Sequence, residues 1–142
     1  MTIKPLYIKE AELVAYQLAV ELMNSDDEPM PAFDTRSPGK LESCLAQPFQ
    51  TAGGKYLYYS FVSRAVLLFY LITKNHCFYN GNKRMAVTLT LTFCYKNKRW
   101  INIPPRKLYE IANQIAKSDP KNQYETIERL KDIFKKTMIR LK

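Results

Sequence analysis

The sequence predicts a single, mostly helical domain, and three features of its 142 residues indicate this fold class. Apolar side chains recur at the three- and four-residue spacing of an amphipathic α-helix in several separate stretches. Hydrophobic residues make up 46% of the chain and only four residues are glycine, so one sizeable core can form. Prolines and acidic residues are concentrated in residues 24–40, which are predicted to be a long loop.

The predicted helices follow one another along most of the chain. They cover residues 8–23, 56–75, 104–117 and 122–141. The second is apolar on nearly every face, which is typical of a helix in the middle of a core. The third begins with prolines, which suit a first helical turn. Apolar stripes are expected on the other three helices, at Leu13, Val14, Leu18 and Leu22, at Leu108, Ile111 and Ile115, and at Ile127, Leu130, Phe134, Met138 and Leu141.

Residues 87–94 fit a β-strand better than a helix when they are read alone. The sequence VTLTLTFC alternates apolar residues with threonine, and strict alternation is the pattern of a half-buried strand. A helix would require the hydroxyls of Thr88, Thr90 and Thr92 to hydrogen-bond to carbonyls one turn earlier. The local pattern therefore favours a strand.

Composition also limits where the protein acts. The longest apolar run, Ala65–Ile72, is far shorter than the ~20 residues of a membrane-spanning helix. The N-terminus carries charges within the stretch that a signal peptide keeps apolar. Three cysteines, Cys44, Cys77 and Cys94, lack zinc-site spacing, and their odd number argues against a disulfide framework. A cytoplasmic protein without a membrane span is expected.

The net charge of +9 is unevenly distributed along the chain. Residues 96–142 contain 13 Lys and Arg against 5 Asp and Glu, which leaves +8 in this part and +1 in the rest. Such an excess is found in nucleic-acid-binding proteins and in proteins with an acidic partner. No aromatic-rich basic motif accompanies it, so a solvated helical face is the preferred interpretation and a nucleic-acid partner is not expected.

The stretch HCFYNGNKR, residues 76–84, follows closely on the most apolar run of the chain. The turn at Asn80 and Gly81 leads to Asn82, a good N-cap for a helix that begins at Lys83. The free N–H groups and the dipole at the start of such a helix favour an anion. Lys83 and Arg84 are unfavourable at this end of a helix unless an anion lies beside them. The stretch therefore predicts a site for a phosphorylated ligand.

The only histidine of the chain, His76, is the candidate general base of this site. Cys77 beside it could instead be a nucleophile with His76 as its base. Adjacent side chains in an extended segment point to opposite sides, however, so the general-base interpretation is preferred.

HCFYNGNKR resembles the signature of the Fic/Doc family, H-x-F-x-(D/E)-G-N-(G/K)-R, and its N-K-R ending is that of the Doc (death on curing) branch. Upstream, GKLESCLAQPFQTAGG is similar to the flap segment of Doc-like proteins, so that the flap would cover about residues 36–54. The resemblance extends over roughly residues 35–100. It implies an all-α, single-domain bundle over residues 1–142, in which residues 83–96 form the central helix and not a strand.

The resemblance also implies roles for the residues that match. His76 would take the proton from a protein hydroxyl as that hydroxyl attacks a nucleotide phosphate. Phe78 would anchor the loop in the core. Phosphate oxygens would be cradled and neutralised by the last four residues of the motif, Gly81, Asn82, Lys83 and Arg84. Positioning and electrostatic stabilisation of this kind account for most of the catalysis of phosphoryl transfer.

Two positions depart from the family pattern. Members that transfer AMP carry a second arginine where this chain has Val87, and the Doc branch that lacks it transfers the terminal phosphate of ATP to elongation factor Tu. The family also places an acidic magnesium ligand where this chain has Asn80. An amide oxygen can coordinate Mg²⁺ but contributes no charge, so a weakly held ion is expected.

These implications predict a toxin that transfers a phosphate, or a nucleotidyl group, from ATP to a hydroxyl of a host protein. Some relatives inhibit themselves through a motif in which Glu follows Ser or Thr by four residues. No Ser or Thr of this chain has Glu at that spacing, so restraint is expected from a separate antitoxin. The alternative is a catalytically degenerate member that keeps the fold as a binding or regulatory module, and Asn80 is its main support.

Overall fold

The structure is a computed structural model that describes residues 2–22 and 29–142. It is mostly helical, with 65% of residues in helices, and this confirms the all-α prediction. The helices of the described residues are α1 (the consecutive stretches Ile8–Glu10, Ala11–Tyr16 and Gln17–Leu22), α2 (Lys40–Ala46), α3 (Phe61–Lys74), α4 (Asn82–Lys96), α5 (Pro105–Lys117) and α6 (Gln123–Thr137). Single 3₁₀ turns lie at Phe33–Thr35, Gln47–Phe49 and Pro120–Asn122.

Two short antiparallel hairpins accompany the helices. Their strands are β1 (Thr51–Ala52), β2 (Lys55–Tyr56), β3 (Arg99–Ile101) and β4 (Met138–Arg140). Strand β1 pairs with β2, and β3 pairs with β4. Residues 23–28, which include the end of the first predicted helix and part of the predicted loop, lie outside the described residues, as does the side chain of Leu22.

The apolar stripe predicted for α1 is wrong. The structure buries the three alanines at four-residue spacing, Ala11, Ala15 and Ala19, whereas Leu13 and Val14 are 66% and 44% exposed. Small side chains let α1 lie close against α4, with which it packs. The stretch Ala11–Tyr16 is also π-helical, so a stripe counted at α-helical spacing falls on the wrong face.

The outward face of α1 leaves an apolar groove beside α4. Val14 and Leu18 of α1 line it together with residues of α4 and with Trp100, and its volume is about 340 Å³. Exposed apolar patches of this kind are typical of interaction surfaces.

In the described part of the chain, no helix combines the length and the apolar character that crossing a bilayer would require.

Helices α3 and α4 form the centre of the molecule, as the sequence predicts. Ser60 caps α3 by accepting a hydrogen bond from the Ser63 N–H at 3.0 Å, and nearly every residue of α3 is buried. The rings of Phe61 and Phe93 stack between the two helices with centroids 4.8 Å apart. This core fixes the end of α3 relative to the start of α4, and the loop between them carries the HCFYNGNKR stretch.

Residues 87–94 are helical, although their alternation alone favours a strand. The condition for a helix is met by two of the three threonines: Thr88 Oγ1 donates to the Arg84 carbonyl at 3.1 Å, and Thr92 Oγ1 donates to the Thr88 carbonyl at 2.6 Å. The Thr90 hydroxyl is buried and has no hydrogen-bond partner among the described residues. Burial of α4 on all sides therefore overrides the local preference of its sequence.

The last predicted helix ends four residues early. Helix α6 stops at Thr137, and β4 pairs with β3 in the register Arg99↔Arg140, Trp100↔Ile139 and Ile101↔Met138. Leu130 and Phe134 of the predicted stripe are buried, whereas Met138 belongs to the strand. The backbone after Thr137 finds its partners in a segment nearly 40 positions away, and a helical repeat cannot reveal such a pairing.

The predicted flap consists of α2, a 3₁₀ turn and the hairpin of β1 and β2. Gly53 and Gly54 make the turn with φ of 59° and 79°, in the left-handed region. Arg64 of α3 holds the hairpin in place. Its Nε donates to the Tyr58 carbonyl at 2.7 Å, and its guanidinium lies 4.2 Å from the ring centroid of Tyr56. The flap is thereby attached to α3, the helix that precedes the HCFYNGNKR loop.

Candidate active site

The loop between α3 and α4 has an unusual backbone at two points. His76 has φ of 50° and Gly81 has φ of 81°, both in the left-handed region. The backbone angle at position 81 favours glycine, whereas the Met30 sulfur that a Cβ there would overlap belongs to the end of a flexible side chain and can move away. Left-handed backbone at a non-glycine residue costs about 1–3 kcal/mol and is concentrated at functional sites.

Asn82 closes the loop through its side chain. Its Oδ1 accepts a hydrogen bond from the Phe78 N–H, and its Nδ2 donates to the Phe78 carbonyl, both at 2.9 Å. Gly81, and not Asn82 as predicted, is the N-cap of α4. The helix therefore begins at Asn82, one residue before the predicted start at Lys83. One N–H of Nδ2 is left to donate to a ligand.

Phe78 lies beneath the loop and is 2% exposed. Its ring contacts Phe33 at a centroid distance of 5.8 Å. Cys77 is also fully buried, and the hydrogen bond with Cys44, together with burial, raises the pKa of the Cys77 thiol. His76 is exposed, so the two adjacent side chains face opposite ways and the pairing of Cys77 with His76 as nucleophile and base is not formed.

A cavity of about 390 Å³ opens above the loop. This volume lies within the range of small-molecule sites. The structure brings six of the seven predicted site residues to this cavity, and Phe78 is below it. The lining residues are Thr73, His76, Tyr79, Asn80, Gly81, Asn82, Lys83, Arg84, Tyr109 and Ala116.

Sequence reasoning missed the wall of the cavity that α5 contributes. Tyr109 and Ala116 are seven positions apart, so they lie on one face of α5 beside the buried face. This spacing was visible in the sequence, but nothing there showed that α5 returns to the HCFYNGNKR loop. Thr73, in the last turn of α3, was missed for the same reason.

Arg84 is a buried cation with no ion-pair partner among the described residues. Its side chain is 4% exposed, and its Nη1 has no hydrogen-bond partner among the described residues. None of the ion pairs that these residues form includes Arg84. A buried guanidinium is costly unless it is paired, so the arrangement favours an anion in the cavity that Arg84 lines.

Lys83 lies beside Arg84 in the first turn of α4 and lines the same cavity. The first turn contains no acidic residue, so the positive end of the helix dipole and two cations face the same space. The two cations repel each other and are repelled by the positive end of the helix dipole, unless negative charge is bound between them. A phosphate group supplies that charge and accepts hydrogen bonds from both side chains.

The cavity fits phosphate better than it fits a dedicated metal site. Among the described residues, the lining contains no Asp or Glu, and no group of three His, Cys, Asp or Glu could hold a metal ion. Mg²⁺ is usually held by one or two carboxylates together with substrate phosphates. Asn80 is available to such an ion only through a neutral amide oxygen.

The fold and the site define a helical protein with a cavity lined by two cations at the N-terminus of its central helix. A model of the Fic/DOC family matches residues 7–94, which is more than half of the chain, and the protein belongs to this family. The match includes the whole HCFYNGNKR loop and ends within α4. Family members transfer groups from nucleotides to proteins and use ATP as a substrate. Neither a curated protein nor a solved structure is significantly similar to the chain.

Proposed function

We propose that the protein is a toxin of the Doc type, which transfers the terminal phosphate of ATP to a hydroxyl of a host protein. The observation that carries the proposal is the buried Arg84 guanidinium, whose Nη1 has no hydrogen-bond partner among the described residues and which lines the same cavity as His76. A cavity with a buried unpaired cation at a helix N-terminus needs an anionic ligand. An exposed histidine in that cavity supplies a base at neutral pH.

The transfer assigns one task to each side of the cavity. His76 takes the proton from the acceptor hydroxyl as its oxygen bonds to the terminal phosphorus. The bond from that phosphorus to the bridging oxygen breaks, and ADP leaves. Lys83, Arg84 and the N–H groups of α4 stabilise the charge that spreads over the phosphoryl oxygens.

Transfer of the terminal phosphate is favoured over transfer of AMP by the residue at position 87. Val87 lies on α4 three residues after Arg84 and is fully buried. A second cation that AMP-transferring relatives carry at this position is therefore missing here, which removes one contact to a triphosphate. AMP transfer is the alternative outcome within the same family.

The proposed partners are a translation factor of the host, elongation factor Tu, as the acceptor and a small antitoxin that restrains the enzyme in the cytoplasm. Residues 1–142 contain no self-inhibitory Glu at the family spacing, which supports restraint by another chain. The apolar groove between α1 and α4 gives such a chain a surface on which to bury apolar side chains. The charge of +8 over residues 96–142 suits an acidic antitoxin.

A second candidate function is nucleotide binding without transfer. It is favoured by the absence of Asp and Glu from the cavity lining, because a metal-assisted transfer lacks its usual carboxylate here. In this case the protein would act as a binding or regulatory module of the family.

Controlled expression in a bacterial host tests the proposal. The wild-type chain should arrest growth, and elongation factor Tu purified from the arrested cells should carry one added phosphate by mass spectrometry. His76→Ala, with helical content and Tm close to those of the wild type, should do neither. Arrest by the His76→Ala variant, or unmodified elongation factor Tu in arrested cells, would contradict the proposal.

A further inference from the structure

The HCFYNGNKR loop contains a second reactive arrangement, which the transfer reaction does not use. The thiols of Cys44 on α2 and Cys77 in the loop lie side by side, with their Sγ atoms 3.7 Å apart. Both side chains are fully buried, and neither cysteine is in a disulfide. We propose that Cys44 and Cys77 form a reversible disulfide when the protein meets a peroxide, so that this pair is an oxidative modification site.

The geometry requires only a small movement. An S–S bond is ~2.05 Å long, so the two sulfurs must approach each other by about 1.7 Å. Their backbones are already held close, because the Ser37 N–H, just before α2, donates to the Cys77 carbonyl at 2.8 Å. The sulfurs therefore meet within one packed contact between α2 and the loop.

The two thiols differ in reactivity, as the two steps of disulfide formation require. The hydrogen bond from Cys77, opposed by burial and assisted by the Asn75 amide and the charge of Lys40, lowers the pKa of Cys44 below its ordinary value. The pKa of Cys77 moves in the other direction, so Cys44 is the thiol of the pair that loses its proton more readily. A thiolate is the nucleophile in reactions of cysteine, whereas a thiol is not.

Peroxide can reach the pair from an adjacent cleft. A depression of about 360 Å³ is lined by Lys40, Ser43, Lys74, Asn75 and His76. Ser43 and His76 are the chain neighbours of the two cysteines, and the Asn75 Nδ2 donates to the Cys44 Sγ at 3.4 Å. One side chain thus separates the sulfur of Cys44 from the cleft. The charge of Lys40 favours a thiolate at Cys44.

The chemistry balances with hydrogen peroxide as the oxidant. The Cys44 thiolate attacks one peroxide oxygen, the O–O bond breaks, and Cys44 becomes a sulfenic acid as hydroxide leaves. The hydroxide released in this step takes the proton from the Cys77 thiol and becomes water. The Cys77 thiolate then attacks the sulfur of Cys44, the S–O bond breaks, and hydroxide leaves. Two thiols are oxidised to one disulfide and one peroxide is reduced.

Cys94 provides a control within the same chain. It is also fully buried, and burial raises its pKa to about 12. Among the described residues its sulfur makes no contact with another thiol. Cys94 therefore shows how a buried cysteine without a neighbouring thiol responds to peroxide.

Thiol mapping of the full chain after treatment with hydrogen peroxide tests the inference. The protein is unfolded without reductant and alkylated, and we expect alkylation to fall from three thiols to one, at Cys94, with a peptide pair linked through Cys44 and Cys77. Dithiothreitol should restore all three thiols. The linked protein should melt roughly 5–10 °C higher, because the bond closes a loop of 33 residues.

Variants separate the pair from the control. Cys94→Ser should form the bond as the wild type does, whereas Cys44→Ser and Cys77→Ser should not form an intramolecular bond. Three alkylated thiols after peroxide treatment, a bond that includes Cys94, or sulfinic acids without a linked peptide would each overturn the inference. The peptide map of the wild type gives this answer even if a serine variant fails to fold.

Discussion

The side-chain amide of Asn82 forms hydrogen bonds with both backbone groups of Phe78, each 2.9 Å long. Phe78 is at the same time anchored in the core by its ring, which is 2% exposed. The loop that carries His76 is thus held from below by an aromatic side chain and from the side by an amide. The contact between Asn82 and Phe78 therefore helps to fix the position of the candidate base relative to α4.

Asn82→Ala should therefore loosen the loop. It removes both hydrogen bonds and leaves the Phe78 N–H and carbonyl without their partner, which should cost about 2 kcal/mol in the free energy of unfolding. Urea denaturation measures the loss. Asn102→Ala is the matched control, because Asn102 is exposed, and it should change stability by less than about 0.5 kcal/mol. Equal stability of the two variants would mean that the contact does not hold the loop.

Arg84→Ala should weaken ATP binding about 10- to 100-fold, because charge-assisted hydrogen bonds to phosphate are worth about 1.5–3 kcal/mol. It should lower the Tm only slightly, because the packing that it removes is offset by the loss of a buried charge whose Nη1 has no hydrogen-bond partner among the described residues. Calorimetric titration with ATP measures the affinity. Arg106→Ala removes the same charge from an exposed position of α5 and should leave the affinity within about twofold. Unchanged affinity in Arg84→Ala would remove Arg84 from the site.

Asn80→Asp tests the alternative of a binding module. The substitution adds a carboxylate of nearly the same size at the position where the family has its metal ligand, so transfer should need less Mg²⁺ and become faster at low Mg²⁺. Transfer rates across a magnesium titration provide the measurement. Absence of transfer in both proteins would favour the binding module. A slower Asn80→Asp enzyme would show that Lys83 and Arg84 neutralise the phosphates without help from a metal.

Thr90→Val should stabilise the protein by about 1 kcal/mol. The buried Thr90 hydroxyl has no partner among the described residues, and valine replaces it with a methyl group of similar size and equal β-branching. Thr92→Val is the matched variant on the same helix, and it should give no gain, because the Thr92 hydroxyl donates to the Thr88 carbonyl at 2.6 Å. Chemical denaturation measures the free energy of unfolding of both variants. A larger gain in Thr92→Val than in Thr90→Val would mean that the Thr90 hydroxyl is not the unsatisfied one.

The sequence predicts the central part of the fold well because burial and periodicity agree there. Residues 56–75 are apolar all round, and the helix Phe61–Lys74 is buried all round. The alternation over residues 87–94 is misleading, because a helix buried on every face needs no stripe and tolerates threonines that bond back within it. Only the resemblance to a family identified this segment as a helix.

Long-range packing accounts for the parts of the fold and of the site that the sequence does not predict. The face of α1 is set by the alanines that fit against α4, and no property of residues 8–22 alone ranks Ala15 above Leu13 for burial. The strand Met138–Arg140 depends on Arg99–Ile101 in the same way. In the site, the residues from 76 to 84 are visible in the sequence as one motif, whereas Tyr109 reaches the cavity only because α5 folds back over it.

Label transfer from ATP tests the central claim most directly. The wild-type protein and His76→Ala are incubated in parallel with bacterial extract and with ATP labelled at either the terminal or the alpha phosphate. The account predicts that the terminal label alone reaches a protein, that the wild type transfers it, and that His76→Ala, still folded and still able to bind ATP, does not. Equal transfer by the two proteins would contradict the proposed role of His76. If the wild-type protein binds ATP but no protein in the extract becomes labelled, the proposed transfer is wrong.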